Sequence, residues 1–135
     1  MKKFIYRQRV YFSDTDAQGI VYHARYLDFA EHARTEMARQ TGLSGLAGGK
    51  AFVVRNMSIS FERPAFLDDE LTVETEVSEY RRFSLTFSQT IKKGDETVAV
   101  LSVKLAYIDI ESKAICMISR DMIEQMTGEA DGQDA

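Results

Sequence analysis

The sequence predicts an α+β domain in which a curved antiparallel sheet of five or six strands wraps around one long helix. Apolar side chains recur at three- and four-residue spacing in one segment, residues 23–41, and alternate with polar ones in most of the remaining chain. The chain has 135 residues, 44% of them hydrophobic, which is enough for one domain with its own core. We predict a single domain over residues 1–126 and a polar, acidic, disordered tail over residues 127–135.

The first strand and the helix follow one another along the chain. The strand, residues 4–12, places Val10 and Phe12 on its inner face and Arg7 and Arg9 on the other. The helical spacing that follows is set by six residues: Tyr26, Leu27, Ala30, Ala33, Met37 and Ala38. Gly42 is placed to end the helix in a left-handed conformation. Roughly 18 residues at 1.5 Å each make a helix of about 27 Å, long enough to cross a sheet.

Strands dominate after the glycine-rich loop at residues 43–50. Their predicted ranges are 52–61, 71–77, 83–91 and 97–110, with a short strand at 114–118 and a final helical turn that Ser119 caps. The segment 98–101 is apolar on both faces, as expected of a central strand or of one whose second face meets another subunit. We therefore expect at least a dimer.

Composition and charge exclude several classes of protein. The net charge of −4 leaves no basic excess for a sequence-independent nucleic-acid binder. The single cysteine, Cys116, cannot form an internal disulfide and is expected to be a small core residue in a protein of the reducing cytoplasm. The N-terminal residues predict no secretory signal, and no segment predicts a membrane span, so any membrane contact is expected to be peripheral.

The segment SDTDAQGIVYHARY, residues 13–26, carries the groups needed for hydrolysis without a metal. Asp16 can act as a base or nucleophile, and Gly19 allows a tight turn. The first free N–H groups of the helix, near His23, can hold a developing negative charge. The alternative is that Asp16 merely forms a turn or caps the helix.

A resemblance favours the catalytic interpretation. The segment DTDAQGIVYHARYLDFAEHARTEM resembles the signature of hotdog-fold thioesterases of the 4-hydroxybenzoyl-CoA thioesterase type, most closely the acyl-CoA thioesterases associated with the bacterial Tol-Pal system. AFVVRNMSISFERPAFLDDELTVETEV and YRRFSLTFSQTI extend the similarity over nearly the whole chain. The resemblance implies that Asp16 is the catalytic carboxylate, that the helix N-terminus near His23 polarises the thioester carbonyl, and that the site lies between two subunits. The sequence departs from the family's pattern at two positions. A small residue is common at the position of Gln18, and a small polar residue is common at the position of Arg25.

The resemblance also implies the reaction and the assembly. The expected activity is hydrolysis of an acyl-CoA to a free acid and coenzyme A, without a cofactor, in a homo-oligomer with a dimer as the minimum and a tetramer expected. Acyl carrier protein is a possible alternative carrier of the acyl group, and the Tol-Pal resemblance places the protein near envelope lipid metabolism. The acyl group itself stays open among short, long and aromatic ones.

Physical chemistry supports a carboxylate in this role. A thioester is already electrophilic and its thiolate leaves readily, so Asp16 could attack the carbonyl to form a mixed anhydride or could take a proton from water. Either route creates an oxyanion, for which one backbone donor is typically worth about 3 to 4 kcal/mol. Asp14 is expected to cap a turn. His23 and His32 are predicted on opposite helix faces, so no metal site is expected.

Substrate contacts are predicted from the remaining residues. Gly19 and Tyr22 lie beside the catalytic carboxylate in the sequence, and Arg81 with Arg82 offers two guanidinium groups to the phosphates of coenzyme A, although a solvated strand end explains the pair equally well. Arg55 and Arg63 are weaker candidates for the same contact. Tyr22, Tyr26 and Phe29 could line an acyl tunnel, although aromatic residues at helical spacing are more often core residues.

Two rival functions use the same fold. A non-catalytic module would bind acyl-CoA or acyl carrier protein and regulate a lipid enzyme, with Asp16 as a turn former. A hydratase acting on enoyl-CoA would need a helix-borne carboxylate and imidazole, for which Asp28 and His32 have the only suitable spacing.

Overall fold

In the computed structural model, which describes residues 2–42 and 47–128, one antiparallel sheet carries a long helix on its inner face. The elements in chain order are β1 (Phe4–Arg9), a short 3₁₀ turn (Phe12–Asp14), α1 (Arg25–Gln40), a second 3₁₀ turn (Ala47–Gly49), β2 (Lys50–Phe61), β3 (Glu70–Tyr80), β4 (Ser84–Lys93), β5 (Glu96–Asp109) and α2 (Arg120–Thr127). The five strands lie in the order β1-β3-β4-β5-β2. The predicted α+β hotdog architecture is confirmed, with five strands.

The core lies between the inner face of the sheet and α1. The alternation predicted for residues 71–77 is confirmed, and that for residues 83–91 is confirmed except at Phe83, which was predicted on the inner face but precedes β4 and is 45% exposed. The almost fully buried residues are Leu71, Val73, Thr75 and Val77 on β3, and Leu85, Phe87 and Ile91 on β4. Helix α1 buries Tyr26, Phe29, Ala30, Ala33 and Met37 against them. It packs mainly over β1 and β3. The inner face of β2, at the opposite edge of the sheet, is consequently only partly covered by the helix.

The first strand is shorter than predicted. Strand β1 pairs with β3 up to Arg9 opposite Glu70 and ends there. The carboxylate of Asp14 then accepts a hydrogen bond from the Tyr11 N–H at 2.9 Å, which holds residues 12–14 in a 3₁₀ turn. Phe12 was predicted on the inner face of the strand, but it lies in this turn and is 82% exposed. The alternation of apolar residues predicts that the strand continues to Phe12, but the hydrogen bond between the Tyr11 N–H and the Asp14 carboxylate stabilises a turn there instead.

Two of the three register shifts in the sheet bear on the predicted alternation. The pairing of β4 with β5 shifts register between Ile91 and Lys92, which leaves Val98 as the extra residue, and Val98 and Ala99 are both buried. Most of the apolar side chains at residues 98–101 are therefore core residues, and β5 is a central strand of the sheet. In β2, whose apolar alternation predicts Val53, Met57, Ile59 and Phe61 on one face, the register shifts at Arg55, so that Val54 faces inward in place of Val53.

The C-terminal segment folds back on β5. Residues 114–118 form no regular strand, because only an isolated bridge joins Ile115 to Ile108. Cys116 is half-buried here and was wrongly expected in the core. Ser119 caps α2 as predicted, its Oγ accepting from the Met122 N–H at 3.2 Å, and the helix has 8 residues.

The predicted tail and loop lie mostly outside the described residues. Thr127, assigned to the tail from its sequence, is the buried last residue of α2, and residues 129–135 and 43–46 are not described. Among residues 2–42 and 47–128, none of the helices has both the length and the apolar character needed to cross a membrane.

Candidate active site

A tight hairpin just before α1 holds the predicted catalytic aspartate. Thr15 and Val21 form a bridge, and the Asp16 N–H donates to the Ile20 carbonyl at 2.9 Å. The Gly19 N–H donates back to the Asp16 carbonyl at 3.0 Å, which closes a β-turn over residues 16–19. Gly19 has φ of +83°, a conformation that glycine adopts without strain, so the turn needs it.

The two carboxylate oxygens of Asp16 have different surroundings. Oδ1 accepts a hydrogen bond from the Gln18 N–H at 2.8 Å, as in an Asx turn. Within the described part of the chain, Oδ2 has neither a hydrogen bond nor an ion pair, and the residue is half-buried. Asp16 therefore forms the turn with one oxygen and presents the other. The turn-forming and catalytic interpretations of this residue are compatible.

The head of α1 presents two backbone donors. The helix begins at Arg25, two residues later than predicted, and the Arg25 N–H is already satisfied by the Tyr22 carbonyl at 2.8 Å. Among residues 2–42 and 47–128, no acceptor lies within hydrogen-bond reach of the His23 and Ala24 N–H groups. The N-cap residue is Ala24, which has no side-chain oxygen to cap the helix. These N–H groups are therefore available to an anion at the positive end of the helix dipole.

The sequence indicated only the neighbourhood of His23 for these donors. Ala24 was missed because an alanine carries no recognisable chemistry, although its position directly before the helix is a usable signal. The His23 ring lies 4.4 Å from the Tyr22 ring and 6.3 Å from the Phe61 ring, centroid to centroid. Tyr22 and His23 are exposed, so both side chains face the surface beside the hairpin.

Buried contacts position the hairpin against the rest of the domain. The Asp14 carbonyl accepts from the Tyr22 N–H at 2.9 Å, and Val21 donates to the Ala65 carbonyl at 2.9 Å. The Tyr26 hydroxyl oxygen accepts from the Ala65 N–H at 3.2 Å. Burial raises the pKa of Tyr26, so the hydroxyl stays neutral. The predicted turn-capping role of Asp14 and core position of Tyr26 are confirmed.

Arg81 and Arg82 are not brought to this site within one chain. The hairpin lies beside the Glu70 end of β3, since Ile20 bridges Phe66, whereas the two arginines follow Tyr80 at the other end. The 11 residues of β3 separate the two ends by about 35 Å. Arg81 is also paired with Glu79, with an N–O distance of 2.7 Å.

Two other basic side chains lie at the same end as the hairpin. Arg63 and Lys93 line a small cavity of about 210 Å³ together with Phe66. Arg63 lies 3.7 Å from a Glu96 carboxylate oxygen, and Lys93 lies 3.0 Å from an Asp69 carboxylate oxygen. Arg63 was a weaker sequence candidate, but it shares this cavity with Phe66, which bridges Ile20 of the hairpin, whereas Arg81 and Arg82 lie beyond the far end of β3.

The rival residues have other partners. Asp28 forms an ion pair with Arg25 at 3.0 Å, and His32 Nδ1 lies 3.1 Å from Gln8 Oε1, so the spacing that suggested a hydratase does not produce an acid-base pair. In the described ranges there is no cluster of three or more His, Cys, Asp or Glu side chains suited to a metal ion.

The fold and the hairpin together define a hotdog-type domain with a carboxylate turn before its long helix. The family model described as the thioesterase superfamily matches residues 18–100. The acyl-CoA thioester hydrolase YbgC of Escherichia coli (strain CFT073) is 47% identical over 93 residues, covering 67% of this chain and 69% of that protein. The acyl-CoA thioesterase YbgC of Haemophilus influenzae is 41% identical over 111 residues, covering 79% and 82%.

A solved structure agrees with these matches. The crystal structure of a probable thioesterase from Bartonella henselae superimposes with a TM-score of 0.82 at 37% identity, covering 87% of this chain and 100% of that one. This chain belongs to the thioesterase superfamily. It is accordingly a thioester hydrolase.

Proposed function

We propose that this protein hydrolyses acyl-CoA thioesters to a free acid and coenzyme A, with Asp16 as the catalytic carboxylate. The observation that carries the proposal is the combination of an unpartnered Asp16 Oδ2 with two free N–H groups, of His23 and Ala24, on one short segment. The names of the YbgC relatives support the choice of substrate class.

The chemistry follows from these groups. Asp16 either attacks the thioester carbon, giving a mixed anhydride that water then cleaves, or takes a proton from water as that water attacks. In both routes the carbonyl oxygen becomes negative, and the N–H groups at the helix head stabilise it. The carbon–sulfur bond then breaks, and the thiolate of coenzyme A leaves. Because a thiolate is a good leaving group, a carboxylate and an oxyanion site are sufficient.

The test of this function is thiol release from a panel of short, long and aromatic acyl-CoAs and from acyl carrier protein loaded with the same acyl groups. We expect turnover with at least one acyl-CoA in the presence of a metal chelator. Measurable binding of acyl-CoA with no thiol release would instead support the non-catalytic binding module.

We also propose that the protein is a homodimer joined through β2. This strand pairs with β5 on one edge only, so over its described residues the other edge carries unpaired backbone groups. Exposed large apolar side chains surround the catalytic hairpin: Tyr11, Phe12, Tyr22, Phe61, Phe66 and Leu67. Light scattering should give twice the chain mass, or four times if a tetramer forms through a second face. A monomer that turns over acyl-CoA would refute the assembly.

Coenzyme A recognition gives a testable contrast. We expect Arg63→Ala to raise KM for acyl-CoA roughly fivefold with little change in kcat, because a phosphate contact stabilises ground and transition states alike. Arg81→Ala should have an effect only if the arginine reaches a site in another subunit, since the length of β3, about 35 Å, lies between it and the end of the sheet that holds its own hairpin. Steady-state kinetics of both variants, with Arg39→Ala as a control exposed on α1, would decide between the two ends of the sheet.

We propose further that the protein works in the cytoplasm and is peripheral to the inner membrane, in lipid metabolism connected with the Tol-Pal system. The support is the sequence resemblance to that subgroup and the high identity to YbgC proteins over most of the chain. Cell fractionation with the native protein tests the location, and co-purification with Tol-Pal components tests the connection.

A further inference from the structure

One buried residue joins the catalytic hairpin to the first turn of α1. The Ala65 carbonyl accepts a hydrogen bond from the Val21 N–H at 2.9 Å, at the end of the hairpin. The Ala65 N–H donates to the Tyr26 hydroxyl oxygen at 3.2 Å, in the first turn of the helix. Residues 22–24, which carry the two N–H groups that are free within the described part of the chain, are therefore flanked on both sides by bonds to Ala65.

The turn formed by residues 65–69, called the support turn below, is also held by contacts that involve neither the hairpin nor the helix. Its Asp69 carboxylate accepts from the Phe66 N–H at 2.9 Å and pairs with Lys93 Nζ at 3.0 Å. Val10, just after β1, exchanges two backbone hydrogen bonds of 2.9 Å with the last two residues of the turn. The sheet therefore fixes the support turn in place, and the turn can hold other segments in place.

We propose that Tyr26 is a positioning residue for the hydrolysis, because its hydroxyl fixes the free N–H groups at the helix head relative to the Asp16 carboxylate. This role rests on the proposed acyl-CoA hydrolysis and adds a residue to it. The carboxylate has to act at the thioester carbon while the N–H groups contact the carbonyl oxygen, so the two must keep one relative position. The hairpin carries the first and the helix head the second. Since both are bonded to Ala65, which is fully buried, a shift of either one strains a hydrogen bond.

The Tyr26 side chain acts through its position, because it is not placed to react with a substrate itself. Only 4% of the residue is exposed. Burial raises the pKa of its hydroxyl, so no ionisation of this group is expected near neutral pH. Its ring packs edge-on against the Phe29 ring, with 6.0 Å between the centroids. A phenylalanine keeps the ring contact and loses the bond to Ala65.

Tyr26→Phe is the variant that tests this role. We expect kcat for acyl-CoA hydrolysis to fall roughly 20-fold, since a misplacement of about 1 Å can cost a factor of about 100 and the retained ring limits the shift. KM should change less than about twofold, because the lost interaction acts on the transition state. The pH profile of kcat should keep its shape, because no group that ionises in this range is removed. Thiol release from hexanoyl-CoA, hexadecanoyl-CoA and benzoyl-CoA, one for each acyl class, measures these values.

Tyr6→Phe is the matched control. Tyr6 is a partly buried tyrosine packed against the core, and its hydroxyl donates one hydrogen bond of the same length, 3.2 Å, to Gln8 Oε1. This bond lies within β1 and involves neither the hairpin, the support turn nor the helix head. We expect kcat to stay within about twofold of the wild type. A wild-type kcat in Tyr26→Phe, or equal losses in the two variants, would overturn the proposal.

A double variant tests whether the tyrosine acts through the catalytic carboxylate. If Tyr26 sets the position of the N–H groups relative to Asp16, its hydroxyl loses importance once the carboxylate is gone. Adding Tyr26→Phe to Asp16→Asn should then lower kcat by less than about threefold further. A further loss as large as that in the wild-type background would mean that the two residues act independently, which the proposal does not allow.

Amide NMR signals test the positioning without turnover. In Tyr26→Phe we expect the ¹H–¹⁵N signals of His23 and Ala24 to shift, and the Ala65 amide to exchange with solvent at least about tenfold faster because it has lost its acceptor. Tyr6→Phe should leave all three signals unchanged. If the wild type hydrolyses none of the three acyl-CoAs but the signals shift, the proposed function fails and the link between hairpin and helix head stands. Unchanged signals of His23 and Ala24 refute the positioning role whether or not acyl-CoA is hydrolysed.

Discussion

Replacing Asp16 by Asn should lower kcat for acyl-CoA hydrolysis by about three orders of magnitude while leaving the fold and the oligomer unchanged. A positioned carboxylate that acts as a base typically raises the rate by about 10² to 10⁴. If Asp16 acts as the nucleophile, the Asn amide cannot replace it and the covalent route is lost. The substitution spares the turn, because an Asn side-chain oxygen can still accept the hydrogen bond that Asp16 Oδ1 receives from Gln18. Stopped-flow or steady-state thiol release measures the effect.

Asp14→Asn provides the matched control for this experiment. It makes the same chemical change two residues earlier, at a carboxylate that accepts from the Tyr11 N–H. We expect kcat to stay within about threefold of the wild type, since the amide oxygen can retain that contact. A wild-type rate in Asp16→Asn would remove the carboxylate from the mechanism. Equal losses in both variants would point to disruption of the hairpin instead.

The sequence predicted the periodic parts of the fold best. The inner row of β3, from Leu71 to Val77, is buried as predicted because one face of that strand packs on a helix and a period of two leaves no other arrangement. The same logic failed where the chain inserts one extra residue. The bulges at Val98 and Arg55 are produced by pairing with neighbouring strands, and a single strand's alternation carries no information about its partner.

The candidate site was predictable where it is local in sequence. The turn over residues 16–19 and the helix that follows are contained in one short motif, so Asp16, Gly19 and the region of His23 could be named in advance. Arg81 could not be placed relative to them, because strand order and direction decide which end of the sheet it occupies. For the same reason the proximity of Arg63 and Lys93 to the hairpin emerged only from the pairing of distant strands.

A second large effect is expected at Gln89, a polar residue in the middle of the core. It is fully buried on the inner face of β4. Its Nε2 donates to the Ala30 carbonyl and to Thr75 Oγ1, both at 2.9 Å, and its Oε1 accepts from Arg34 at 3.0 Å. Burial lowers the pKa of Arg34, which shows that its charge has lost hydration and depends on the remaining contacts.

We expect Gln89→Leu to lower the free energy of unfolding by about 3 kcal/mol, because the leucine leaves the Arg34 guanidinium beside an apolar group. Gln40→Leu makes the same change at an exposed helix position and should alter the free energy of unfolding by less than about 0.5 kcal/mol. Urea denaturation followed by circular dichroism measures both.

Removing the arginine as well tests the origin of the loss at Gln89. If the guanidinium's loss of its Gln89 acceptor is the cause, the double variant Arg34→Met, Gln89→Leu should be more stable than the sum of the two single losses by at least about 1 kcal/mol, because no half-buried guanidinium is then left without that acceptor. Strict additivity would mean that the loss comes from packing around residue 89. In that case the hydrogen bonds joining β4 to α1 would contribute little to holding the helix, and with it the N–H groups of His23 and Ala24, in place.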